Sequence, residues 1–148
     1  MKRSLALACA LLLNGCALLH KEESPSAGAQ VGIVNHTGRF IYSATVNGAG
    51  GGTMSAWGAG VANICCTSIP SVWYPGMKVL VRWDMPEGRT HVVNEKVVEV
   101  ERYDDPGSIY MHFFPGDEVR VLSSLVDPGH PNYPIPLPVK PAARDTRR

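Results

Sequence analysis

The sequence predicts an all-β fold, a single antiparallel, sandwich-like domain. Three observations predict it. Short runs in which apolar and polar residues alternate recur through the middle of the chain. Turn dipeptides built on proline and glycine separate these runs. No stretch carries a convincing amphipathic helical period, and no internal repeat is visible.

Taken in order, Val31–Val34 predicts a first short strand. Phe40, Tyr42, Ala44 and Val46 then alternate with Ile41, Ser43, Thr45 and Asn47. Side chains alternate faces along a strand, so such a run suits a sheet with one buried face. Asn47-Gly48 follows as a turn. Met77, Val79, Val81 and Trp83 alternate with Lys78, Leu80 and Arg82, which places Trp83 in the core. Val92-Val93 and Val97–Val100 form a less regular pair. Ile109, Met111 and Phe113 alternate with Tyr110, His112 and Phe114, with His112 expected on the solvent face. Val119 and Val121 close the series. Pro75-Gly76, Pro86-Glu87-Gly88, Pro106-Gly107, Pro115-Gly116 and Pro128-Gly129 supply further turns.

The chemistry-bearing residues are few. Gly48–Gly52 and Gly58–Gly60 invite a phosphate-loop reading, but no Gly-Lys-Ser/Thr follows and neither run completes GxGxxG. The residues after Gly60 read as strand, so the glycines are expected to be a connection that allows close backbone approach. Cys65-Cys66 lacks the spacing of a redox CxxC or of a metal site. One buried and one half-exposed thiol is the first expectation, and a vicinal disulfide redox pair is the second. The five histidines form no HExxH and no pair at metal spacing, and no GxSxG marks a serine nucleophile. No catalytic residue, metal or cofactor is therefore expected. Asp117 and Glu118 follow a turn and read as solvated turn residues before they read as an acid/base pair. Trp57, and Trp73 with Tyr74, sit on loops, where aromatics serve as interface anchors or as caps on a sandwich end.

The termini bear on location. Lys2-Arg3, an apolar stretch from Leu5 to Leu13, and then Leu13-Asn14-Gly15-Cys16 have the order of a bacterial signal peptide cut before a lipid-acceptor cysteine. The apolar stretch is shorter than the ~20 residues that span a bilayer. The expected organisation is a signal peptide over 1–15, an acylated Cys16 with a tether to 30, a β domain over 31–135, and a disordered basic tail over 136–148. Ala17, in place of an aspartate, points to the outer membrane, facing the periplasm. Cleavage leaves 133 residues with 12 basic and 13 acidic side chains, which suits one domain and argues against a nucleic-acid partner.

A set of short motifs occurs in order: Cys65-Cys66-Thr67-Ser68-Ile69-Pro70, Trp73-Tyr74-Pro75-Gly76, Val81-Arg82-Trp83 and His112–Val121. In this the chain resembles the small bacterial lipoproteins of domain-of-unknown-function family 3304, over roughly residues 32–135. The resemblance implies a role as a non-enzymatic immunity protein against a type VI secreted phospholipase effector. It carries over no catalytic or binding residues. Candidate contacts with the phospholipase, chosen by residue type, are Trp57, Trp73, Tyr74, Asp117 and Glu118. The lipid on Cys16 supplies the membrane contact. The alternative is a structural or assembly lipoprotein that binds peptidoglycan or an outer-membrane partner, with the tail from Lys140 to Arg148 as a possible contact.

Overall fold

The computed structural model describes residues 25–143. The expected signal peptide, Cys16 and the last five residues of the expected tail lie outside the described residues. Eight strands run in order: β1 (Ser26–Asn35), β2 (Ile41–Val46), β3 (Ala49–Met54), β4 (Ile64–Pro70), β5 (Lys78–Asp84), β6 (Val93–Glu99), β7 (Ser108–Phe114) and β8 (Glu118–Ser124). There is no helix among the described residues. One sheet has the order β4-β1-β7-β8 and the other β3-β2-β5-β6. Every strand pair is antiparallel except β1 with β7. This is the expected all-β sandwich.

Alternation builds the core between the sheets. Ala29, Val31 and Ile33 of β1 face Val79, Val81 and Trp83 of β5, with Ile109, Met111 and Phe113 beside them on β7. Trp83 and Phe113 meet with ring centroids 5.5 Å apart. The Asn47-Gly48 turn has positive φ at both residues (49° and 80°), the type I′ geometry that matches strand twist in a two-residue hairpin.

Four expectations need correction. β1 starts at Ser26, inside the stretch read as tether, because Ser26–Ala29 pair with Thr67–Pro70 of β4. The glycine run is not a loop: Gly50, Gly51 and Gly52 lie within β3, where Gly50 and Gly51 take φ of 107° and 104°. In β2 the pairing with β3 shifts between Ile41 and Ala44. That shift reverses the phase, so Ile41 is buried while Phe40 and Tyr42 are exposed.

The fourth correction concerns β7, whose two faces are both covered. Residues 125–135 fold back over the outer face of its sheet. Tyr133 and Ile135 pack there with Val34, Tyr110 and Leu122 as a second, smaller core. His112, expected at the surface, is fully buried beneath this strap. Gly32 makes room for the Tyr110 ring of this second core: a Cβ on Gly32 would sit 2.5 Å from that ring. Pro134 and Ile135 are thus partly structural, and the segment beyond them has no regular secondary structure as far as residue 143.

Candidate functional site

Strand directions sort the loops into two ends. β1 and β7 run the same way, and β4 and β8 run against them. The loops 36–40, 55–63, 85–92 and 115–117 therefore share one end, which we call distal. The chain enters the domain at the other end, where Ser71 N–H donates to Pro25 O at 2.7 Å. Loops 71–77 and 100–107 share that entering end.

Asn35, fully buried, organises the distal end. Its amide donates to Arg39 O (2.7 Å) and Ser55 O (3.0 Å). Its Oδ1 accepts from Thr37 N–H (3.0 Å) and from the Thr37 hydroxyl (2.7 Å). One buried side chain thereby ties two loops together with its polar atoms satisfied, as burial requires. Arg39 extends the tie by donating to Met85 O (2.7 Å) and to the Glu87 carboxylate (3.3 Å). Between these loops lies a cleft of about 250 Å³, lined by Thr37, Gly38, Arg39, Met85 and Phe114–Asp117.

Two of the sequence candidates stand beside this cleft in an uncommon conformation. Trp57 and Asp117 each have φ of 57°, in the left-handed region. For a bulky residue such as Trp57 this is an outlier that costs on the order of 1 kcal/mol or more, whereas aspartate adopts it readily in turns. The Trp57 N–H donates to Thr37 O (3.0 Å), and its ring lies against Gly38. Asp117 is held from the neighbouring sheet by Lys96, whose Nζ donates to Asp117 O at 3.3 Å. Glu118, the next residue, is exposed at the start of β8.

The other two candidates are at the opposite end. Trp73 is half-buried, packs on the main core and donates from Nε1 to Val100 O (2.9 Å). It is a cap. Tyr74 beside it is 51% exposed. The five candidates therefore cannot form one interface.

Two polar constellations were not singled out from sequence. His36 Nε2 and His112 Nδ1 share a hydrogen bond of 3.0 Å, and His112 Nε2 and the Tyr133 hydroxyl share one of 2.7 Å. The His36 ring stacks on Phe114 at 4.2 Å. Burial, with smaller effects from His36 and Arg120, pushes His112 down to about 3. Burial lowers His36 as well, aided by Arg120. Both rings are thus neutral at pH 7, where they link the strap to the sheet. The second constellation is on the outer face of the other sheet. His91 Nδ1 lies 2.5 Å from Asp84 Oδ2, and Asp84 Oδ1 accepts the Val92 N–H at 3.1 Å. The carboxylate orients the imidazole beside Tyr42, next to a hollow of about 210 Å³. A signal for the first constellation was present: aromatic residues on both faces of β7 imply that both faces are covered.

Cys65 and Cys66 are joined as a vicinal disulfide, with both residues exposed. The expectation of one buried thiol is corrected. They fill the place where β4 has two residues against Gln30 alone, between the Ala29–Thr67 and Val31–Ile64 pairs. This bulge locally suspends the alternation that would send neighbouring side chains to opposite faces. Among the described residues, no group of three or more His, Cys, Asp or Glu side chains is placed to hold a metal ion.

The fold and site define an all-β domain of two packed sheets with an ordered loop cluster at one end. The chain belongs to the family described as "Protein of unknown function (DUF3304)", which matches residues 34–121. No curated protein and no solved structure matches the chain.

Proposed function

We propose that this protein is a non-enzymatic, lipid-anchored component of the bacterial envelope that binds and neutralises a secreted phospholipase. One observation supports the reading best. Trp57 and Asp117, both in left-handed backbone, stand beside a cleft at the end away from the point of chain entry. A strained bulky residue such as Trp57 persists where surrounding structure over-determines it, and such residues concentrate at binding sites. A tether from Cys16 holds the entering end toward the membrane and turns the distal loops outward. An enzyme arriving to attack phospholipid meets those loops first.

The physics of inhibition suits this end. The hydrogen bonds of Asn35 and Arg39 fix the loops before any partner arrives. Pre-ordered loops lose less conformational entropy on binding. Trp57 supplies an aromatic anchor of the kind that dominates interface energetics. Asp117 and Glu118 add directed negative charge.

The test is an inhibition titration of the phospholipase with the full-length protein. Trp57→Ala and Asp117→Lys should each weaken inhibition by about tenfold or more. Tyr74→Ala, at the entering end, should leave it unchanged. Inhibition that depends on Tyr74 and not on Trp57 or Asp117 would overturn the assignment of the distal end.

A further inference from the structure

The outer face of the β3-β2-β5-β6 sheet carries a pattern that the proposed function does not use. On β5 the outward residues are Lys78, Leu80 and Arg82, and on β6 they are Glu99, Val97 and Glu95. The register places them opposite one another as Lys78–Glu99, Leu80–Val97 and Arg82–Glu95. Leu80 is 39% and Val97 61% exposed, an apolar centre between charged rungs. Among the described residues none of these four charges is in an ion pair. One strand is thus basic and its neighbour acidic, with a shared apolar middle.

We infer that this face binds a second copy of the same chain, through a two-fold axis that runs parallel to the strands between β5 and β6. Such an axis lays β5 of one copy over β6 of the other without changing the level along the strand. Every residue then meets its own register mate from the partner: lysine on glutamate, leucine on valine, arginine on glutamate. This self-complementarity is what an isologous interface requires. The other face-to-face arrangement, with the axis across the strands, stacks each strand on itself. Centred on Leu80, it sets Lys78 against Arg82 and Glu95 against Glu99. Like charges rule it out.

Sheet twist does not defeat the match. Packed sheets cross at about 30°, and the charged rungs lie about 7 Å along the strand from the apolar one. The resulting offset is about 3.5 Å, within reach of lysine and arginine side chains. Asp84, one rung further, is already engaged by His91 and Val92 and is not needed.

The geometry has a directional consequence. With the axis along the strands, both copies keep their entering ends on one side and their distal loops on the other. Two tethered copies can therefore sit on one membrane and present two loop clusters side by side. Tethering also raises the effective concentration at which they meet. The pairing stands independently of what the distal loops bind.

The test uses two differently tagged copies of the full-length protein, produced together and recovered from membranes in mild detergent. Capture of one tag should recover the other. Arg82→Glu on both copies should lower that recovery by about tenfold or more, because the two-fold repeats the repulsion twice. Glu95→Arg on both copies should do the same. With Arg82→Glu on one copy and Glu95→Arg on the other, every rung is again complementary, and recovery should return to the original level. Failure of the unaltered copies to co-purify, indifference to the single reversals, or no return in the mixed pair would each overturn the proposal.

Discussion

Acid should destabilise this protein in part through His112. Its ring is fully buried under the strap, and its pKa is pushed from 6.5 to about 3, chiefly by lost solvation. The unfolded chain takes up a proton on His112 below pH 6.5, whereas the folded chain resists doing so until about pH 3. In that window the unfolded state binds more protons. The neutral ring's full contribution to stability is present above pH 6.5 and is lost as the pH falls. Between pH 7 and pH 5 the loss amounts to about 2 kcal/mol from His112 alone. His36, whose pKa is also lowered, adds in the same direction. Urea unfolding at the two pH values measures the sum over all titrating groups. The same experiment on His112→Gln, which keeps a hydrogen-bonding side chain but does not titrate, isolates the residue. The variant is expected to be less stable at pH 7 and to lose about 2 kcal/mol less than the parent on going to pH 5. An imidazole proton resonance of His112 that titrates near pH 6.5 would refute the reasoning, as would identical pH dependence in the two proteins.

Trp83 is expected to be among the costliest positions in the core. Trp83→Ala removes the ring that meets Phe113 and should lower stability by about 3–5 kcal/mol in chemical denaturation. The Cys65–Cys66 bridge, by contrast, closes no loop of chain and lies at the surface. In the chain-entropy view it restricts the unfolded state very little. Cys65→Ser with Cys66→Ser should therefore change stability by less than about 1 kcal/mol, and alkylation without prior reduction should leave both native cysteines unlabelled.

Much of the fold was legible because it rests on local pattern. Met77, Val79, Val81 and Trp83 read as one buried face and are one. Asn47-Gly48 read as a turn and forms a tight hairpin. Two of the misreadings, those of Ser26–Ala29 and of His112, were settled by a partner distant in sequence. Ser26–Ala29 are a strand only because β4 pairs with them. The phase of β2 slips, by contrast, inside a local hairpin, where its pairing with β3 shifts. His112 is buried by Tyr133, 21 residues further along the chain and outside any strand. The candidate site shows the same division. Trp57, Trp73, Tyr74, Asp117 and Glu118 were chosen by side-chain type, which says nothing about which loops share an end. That depends on strand directions, including the parallel β1–β7 pair, whose members are far apart in the chain. The left-handed backbone at Trp57 has no sequence signature. Asparagine at 47 announces a positive φ, whereas tryptophan at 57 does not.

The proposed role is to neutralise a phospholipase delivered to the protein's own compartment. The most direct measurement is phospholipid hydrolysis by each secreted phospholipase of the producing bacterium, with and without an equimolar amount of the full-length protein. One of these enzymes should lose its activity at that ratio while the others are unaffected. Unchanged hydrolysis by every one of them would contradict that role.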